Sequence, residues 1–308
     1  MKKSTIMAST VIAAGTYFFT QCKCLKNSYY NIINKKIPES FDGYKIIQLS
    51  DLHNCYFGPI KHNYLIYKID KEAPDVILIT GDFFDVNKYE NSLSIVKELA
   101  KKYKIYFIAG GHEYWVPEFS KIKSELKKVG VTIVDNKRIE LFNKNESIYI
   151  TGLLDPTFYN GCLELSKKIL KEYQSEDKFN ILLSHRPDLF DLYTSYDYDL
   201  IFTGHAHGGQ IRILNQGLYA PNQGILPKYT SGIHSKDDKH MIINRGCGWH
   251  SLFIKINNRP EIVVCKLQKK APWIGAFFRY PILNYFLHLQ VPANLLIQLH
   301  LKFELLLF

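Results

Sequence analysis

The sequence predicts an α/β domain over residues 41–267, and three observations carry that reading. Short, almost continuously apolar runs recur, as expected of strands covered on both faces. Helical stretches lie between them. The composition of the 308-residue chain, 46% hydrophobic and 22% charged, is globular. It supports a sizeable core and excludes a wholly disordered, collagen-like or coiled-coil chain.

The elements follow in order. Tyr44-Lys-Ile-Ile-Gln-Leu49 reads as the first strand and Asp75-Val-Ile-Leu-Ile-Thr80 as the second. A helix is expected over 93–101, then a third strand in Ile105-Tyr-Phe-Ile-Ala109, then a helix over 119–129. A helix over 163–173 precedes the fourth strand, Phe179-Asn-Ile-Leu-Leu183, and Leu200-Ile-Phe-Thr203 is the fifth. After Gly209 shorter β-type runs take over, at 210–214, 241–244, 252–256 and 261–266. No internal repeat is visible, and Asn143-Lys-Asn-Glu146 reads as a local turn rather than a linker.

The two ends depart from this pattern. Residues 4–22 carry no charge and follow Lys2-Lys3. That is the shape of a secretory signal or an N-terminal membrane anchor, with a buried N-terminal helix as the alternative. Residues 1–40 are therefore assigned to a signal or anchor segment and a connector. Residues 268–308 are mostly apolar, and Pro272, Pro281 and Pro292 cut them into pieces too short to span a bilayer. An interfacial helix, a protein contact surface and a helix packed on the domain's own core all fit. A membrane-associated protein with an exported catalytic domain is the resulting expectation.

Thirty-nine basic against 29 acidic residues give a net charge of +10. Such a surface favours anionic partners, phosphates and anionic lipid among them. The basic residues are interspersed with acids, as in Lys121-Ile-Lys-Ser-Glu-Leu-Lys-Lys128, so no nucleic-acid partner is expected. The six cysteines show no C-x-x-C spacing and read as free thiols.

The chemistry lies at the strand ends, where α/β sheets bind ligands. The first strand is followed by Asp51-Leu-His53, the second by Gly81-Asp82, and the third by Gly110-Gly-His-Glu113. Ser184-His185 follows the fourth and Gly204-His-Ala-His207 the fifth. Five ends on one sheet edge can converge on one point. Residues two apart can point the same way, so Asp51 with His53, and His205 with His207, can each grip one ion. Imidazole and carboxylate without thiolate suit Mn, Fe or Zn. A single such histidine is more often structural; the ordered set is what carries the metal reading. Phosphate loops of the G-x-x-x-x-G-K-[ST] kind, a complete G-x-G-x-x-G and a G-x-S-x-G elbow are absent from the sequence. A cysteine phosphatase at Cys247 would need an arginine where Phe253 stands.

This ordered set resembles the calcineurin-like metallophosphoesterase family. In particular it resembles a bacterial branch marked by Gly204-His-Ala-His-Gly-Gly-Gln210, Tyr219-Ala-Pro-Asn-Gln-Gly224 and Asn258-Arg-Pro-Glu-Ile262. The resemblance implies two packed β-sheets flanked by helices, with a two-metal site at the sheet edge. It implies that Asp51, His53 and His207 bind a first divalent metal, that Asp82 bridges, and that His185 and His205 bind a second. His112 would face the leaving group, and a metal-activated water would attack a phosphoester. A lipid-linked phosphoester is a substrate suggested by the apolar ends alone.

One position departs from the family. Where the third motif normally carries an Asn ligand to the second metal, this chain has Gly111. Three readings follow: a loosely held second metal, a single metal, or a membrane-tethered phosphate-binding pseudoenzyme. The first is preferred, because every other ligand position and His112 are present. Weaker substrate candidates are Asn54, beside the first motif, and Arg245, Arg186 and Arg212, which could steer an anion. Tyr114-Trp115 could line an apolar wall or pack against the sheet.

Overall fold

The apolar runs form the centre of two stacked six-stranded sheets. A computed structural model describes residues 3–58, 63–86, 88–248 and 255–269. The expected run at 252–256 falls largely outside these residues, and the apolar C-terminal segment lies outside them from residue 270. In chain order the strands are Lys26–Ile33 (β1), Lys45–Leu49 (β2), Val76–Thr80 (β3), Lys104–Ile108 (β4), Thr132–Ile133 (β5), Lys137–Asn143 (β6), Glu146–Gly152 (β7), Asn180–Leu183 (β8) and Leu200–Thr203 (β9). Four two-residue strands follow, Arg212–Ile213 (β10), Gln216–Gly217 (β11), Tyr219–Ala220 (β12) and Gly224–Ile225 (β13). Gly232–Lys236 (β14), Lys239–Ile243 (β15) and Glu261–Gln268 (β16) complete the set. One sheet has the order β1-β16-β2-β3-β4-β5 and the other β14-β15-β9-β8-β7-β6. Both are mixed: β2, β3, β4 and β5 pair in parallel, as do β7, β8, β9 and β15. The β16–β2, β14–β15 and β6–β7 pairs are antiparallel.

The helices are Lys3–Lys23 (α1), Asn63–Glu72 (α2), Glu90–Ala100 (α3), Phe119–Lys128 (α4), Glu164–Tyr173 (α5) and Phe190–Tyr193 (α6). Side chains alternate faces along each strand. Ile47, Leu49, Ile77 and Ile79 pack against Leu65, Ile95, Leu99, Ile122 and Leu126 of α2, α3 and α4. Ile46, Val76 and Leu78 face Ile150, Ile181, Leu183 and Phe202 of the second sheet. Leu182, Ile201 and Met241 on that sheet's outer face meet Leu170 of α5 and Tyr193 of α6. The order helix, sheet, sheet, helix explains why the strands are apolar on both faces.

Two expectations are corrected here. The five ligand-bearing strand ends do not share one sheet edge: β2, β3 and β4 belong to one sheet, β8 and β9 to the other. Buried Gln48 joins the two, its amide donating to Thr80 Oγ1 at 2.8 Å and to the Thr203 carbonyl at 2.9 Å. The connector assigned before residue 41 is also more than a connector, since β1 pairs with β16 over eight residues. Its sequence, Lys-Asn-Ser-Tyr-Tyr-Asn-Ile-Ile, is too polar to read as a strand because it lies at the sheet edge and most of it is exposed or half-buried. Among the described residues, no helix is long and apolar enough to cross a membrane. The uncharged N-terminal stretch is α1, which leaves Val11, Ile12 and Phe19 exposed. The five described cysteine side chains, Cys24, Cys55, Cys162, Cys247 and Cys265, are free thiols.

Candidate metal centre

The loops after β2, β3 and β9 leave their strands through strained backbone. Asp51, His53, Asp82, His205 and His207 have φ of 50, 45, 51, 64 and 47°. Non-glycine residues rarely adopt this left-handed conformation, and such strain gathers at functional sites. Close packing of the loops also requires Gly110: a Cβ there would stand 2.5 Å from Asp82 Oδ1. Backbone bonds then tie the loops together, with Asp51 N donating to the Gly81 carbonyl at 3.0 Å and His53 N to that of Asp82 at 3.1 Å.

The result is one continuous cluster. Asp51, His53 and His207 place ligand atoms within 4.8 Å of one another. So do His53, Asp82 and His112, and so do Asp82, His185 and His205. All six residues expected to bind metal, and His112 with them, are therefore brought together. Asp82 belongs to two of the triplets, and its second oxygen lies 3.0 Å from His185 Nε2. His53 Nε2 and His207 Nε2 approach to 3.1 Å. Facing imidazole nitrogens beside buried carboxylates form a donor set that fits a divalent cation.

The hydrogen bonds behind the ligands set their tautomers. His185 Nδ1 donates to the Thr80 carbonyl at 2.7 Å, which leaves Nε2 facing Asp82. His205 Nε2 donates to Asn222 Oδ1 at 2.8 Å, which leaves Nδ1 facing His185. Such partners fix ring orientation in metal sites. Burial disfavours charge on His185, yet Asp82 and Asp51 push its pKa up to about 10. Burial, then the charge of His185, lowers His205 to about 4. Asp51 rises to about 6 because it is buried, with Asp82 adding to the effect. A proton on His185 thus supplies positive charge that the buried carboxylates require, a place a cation fills more fully.

Three residues that sequence reasoning left without a role organise the site. The fully buried Glu113 carboxylate accepts four backbone N–H bonds, from Asp82 at 2.9 Å, Gly110 at 2.8 Å, Phe83 at 2.7 Å and Phe84 at 3.0 Å. It was visible as the end of the third motif, but a carboxylate turned away from the metal looks the same in sequence as one turned toward it. Asn222 was visible within the Tyr219–Gly224 motif, and only the fold brings it to His205. Asn258, from the third branch motif, holds the His207 loop by donating to the carbonyls of His207 and Gln210.

The weaker substrate candidates have partners within the fold. Asn54 Oδ1 accepts from Ser92 N at 3.0 Å and so holds the start of α3. The Arg245 guanidinium donates to buried Glu261 at 2.9 and 3.1 Å. Arg186 is likewise held by Asp188, and Arg212 donates to the Gly208 carbonyl and to Thr230. Tyr114 stacks edge-on with Trp115 and Phe158, and both members of the Tyr114-Trp115 pair are exposed.

The family model for calcineurin-like phosphoesterases matches residues 44–209. The chain is 29% identical over 273 residues to an uncharacterized metallophosphoesterase of Bacillus subtilis, YkuE, covering 85% of this chain and 93% of that one. It is 27% identical over 233 residues to the phosphodiesterase YaeI of Escherichia coli, covering 73% and 82% of the two chains. A transmembrane protein with metallophosphoesterase domain from Bos taurus is 26% identical over 250 residues, covering 76% and 55%.

Proposed function

Because the chain belongs to the calcineurin-like phosphoesterase family, we propose that it hydrolyses phosphoesters with two divalent metals held by the strand-end cluster. The observation that carries this is the pair of triplets, Asp51–His53–His207 and Asp82–His185–His205, linked by Asp82 and His53. Asp51, His53 and His207 would hold a first metal and His185 and His205 a second, and Asp82, with two carboxylate oxygens, would serve both. Bound there, the metals neutralise phosphate charge and acidify a water. The chain's own part is to orient the phosphate and to deliver a proton. His112 is suited to the latter: its side chain is 33% exposed, its Nε2 lies 4.0 Å from Asp82, and its backbone N–H donates to Asp82 Oδ1 at 2.8 Å. From there it can protonate the leaving oxygen. The name phosphodiesterase carried by the E. coli relative makes a diester the first substrate to test. The test is Mn²⁺-dependent turnover of bis-p-nitrophenyl phosphate against p-nitrophenyl phosphate, beside metal content by plasma mass spectrometry. Absence of both turnover and bound metal would overturn the reading; bound metal without turnover would favour the tethered pseudoenzyme.

Gly111 is the position that separates these outcomes. Its backbone, at φ −66° and ψ −35°, accepts any L-residue, and the nearest atom to an added Cβ is Thr157 Oγ1 at 3.4 Å. Gly111→Asn is therefore expected to fold normally and to tighten the second metal about tenfold or more, with faster turnover at limiting metal. Equal metal affinity and equal rate in the two proteins would show that the position does not limit the site.

A membrane-surface role finds support in exposed apolar groups. Leu214 is 97% exposed and Ile225 82%, with Leu226 and the α1 residues Val11 and Ile12 also exposed. Leu214 lies in the turn between β10 and β11, and Ile225 in β13, beside the turn that brings Asn222 to His205. Exposed apolar side chains of this kind suit a peripheral contact with lipid. The triple change Leu214→Ser, Ile225→Ser and Leu226→Ser is expected to reduce flotation with anionic vesicles severalfold and to leave hydrolysis of a soluble diester unchanged. Unaltered flotation would remove this support.

A further inference from the structure

The loop after β7 places a buried carboxylate beside the glycine where the second metal site lacks a side chain. Asp155 is 1% exposed. Its Oδ1 is fully used, accepting from Thr157 N at 2.8 Å and from Thr157 Oγ1 at 2.6 Å at the start of the Pro156–Tyr159 turn. Its Oδ2 is buried and has no hydrogen-bond partner among the described residues. A buried carboxylate oxygen left unpaired is costly, and in native structures it is ordinarily satisfied by water or an ion.

The location says which. A Cβ on Gly111 would lie 3.7 Å from Asp155 Oδ1 and 3.9 Å from Cγ. Asp155 therefore borders the space that a side chain at 111 would enter. The Asp82–His185–His205 triplet does not include it, so it does not ligate directly in this arrangement.

We propose that Asp155 stands in for the missing side chain at 111, holding through its free Oδ2 the water that completes the second metal's surroundings. The inference rests on the two-metal reading above. A carboxylate acting across one water supplies negative charge without a direct bond, and such outer partners tune metal affinity by about 10- to 100-fold. It gives a physical reason why the chain keeps the remaining ligands despite Gly111.

Calorimetric titration of the metal-stripped full chain with Mn²⁺ tests it. Asp155→Asn keeps an oxygen for Thr157 and removes the charge. It is expected to weaken the looser Mn²⁺ site about tenfold or more, leaving the tighter site and the metal-free melting temperature unchanged. In the Gly111→Asn background the same change is expected to cost about threefold or less, because residue 111 then supplies the donor. Thr157→Val, which removes only the hydroxyl bond to Oδ1, is expected to leave both affinities intact. Identical affinities in Asp155→Asn and the unaltered protein would overturn the inference. So would an equal loss in both backgrounds, the mark of a general charge effect, or an equal loss in Thr157→Val, the mark of a turn effect. An unaltered protein that binds no Mn²⁺ would overturn the two-metal reading itself, and the inference with it.

Discussion

Asp82→Asn is expected to lower turnover by about a thousandfold or more and to release at least one metal per chain. The side chain is 3% exposed and belongs to two of the three triplets, so its loss reaches both sites at once. Metal stabilisation of the transition state supplies several kcal/mol, and each 1.36 kcal/mol is tenfold in rate, which sets the scale. The same change has a signature independent of activity. Burial would lower His185, but Asp82 and then Asp51 raise it from the ordinary 6.5 to about 10. A raised cationic group stabilises the fold fully below its unfolded pKa and loses that contribution as pH rises through the folded value. His185 thus makes the metal-free chain lose stability between about pH 6.5 and pH 10. Asp82→Asn is expected to flatten that part of the profile in thermal melts of stripped protein. Retention of two metals with turnover within about tenfold of the unaltered protein would refute the bridging role.

Much of this was legible in the sequence, for identifiable reasons. Strands β2, β3, β4, β8 and β9 are apolar on both faces, and their runs marked them within a residue or so. The clustered Asp and His residues announced themselves as polar groups after those runs. The hairpin of β6 and β7 was missed apart from its turn, because β6 is largely exposed and lacks a continuous run. The assignment of strands to two sheets was invisible too, since β4 and β8 carry the same kind of apolar run while pairing in different sheets. Strained φ at Asp51 or His205 leaves no compositional trace, because glycine would have marked it and these positions need their side chains. Asp155 illustrates the remaining limit: only three-dimensional proximity to Gly111 gives an otherwise ordinary turn-capping aspartate a second reading.

Glu113→Gln is expected to destabilise the metal-free chain by about 4 kcal/mol, from two stranded backbone donors at about 1–3 kcal/mol each. In the native protein each carboxylate oxygen serves two N–H groups, Asp82 and Gly110 on one side, Phe83 and Phe84 on the other. A glutamine offers one oxygen; its NH₂ must face the opposite pair, donor against donor. Whichever way the amide turns, the loop that carries Asp82 loses one or two of its three anchoring bonds, so metal content falls with stability. Burial first, then the charge of Asp82, raises the Glu113 carboxyl from 4.5 to about 7, while the N–H bonds from Phe84 and Gly110 pull it down. A raised carboxyl stabilises the fold below its unfolded pKa and loses that contribution as pH climbs through the folded value. The unaltered chain is therefore expected to lose stability between about pH 4.5 and pH 7 on this account, and the glutamine variant to lack that slope. Denaturant unfolding at several pH values measures both quantities. A loss below about 1 kcal/mol at neutral pH would mean that the four N–H groups find other acceptors and that Glu113 does not hold the two loops together.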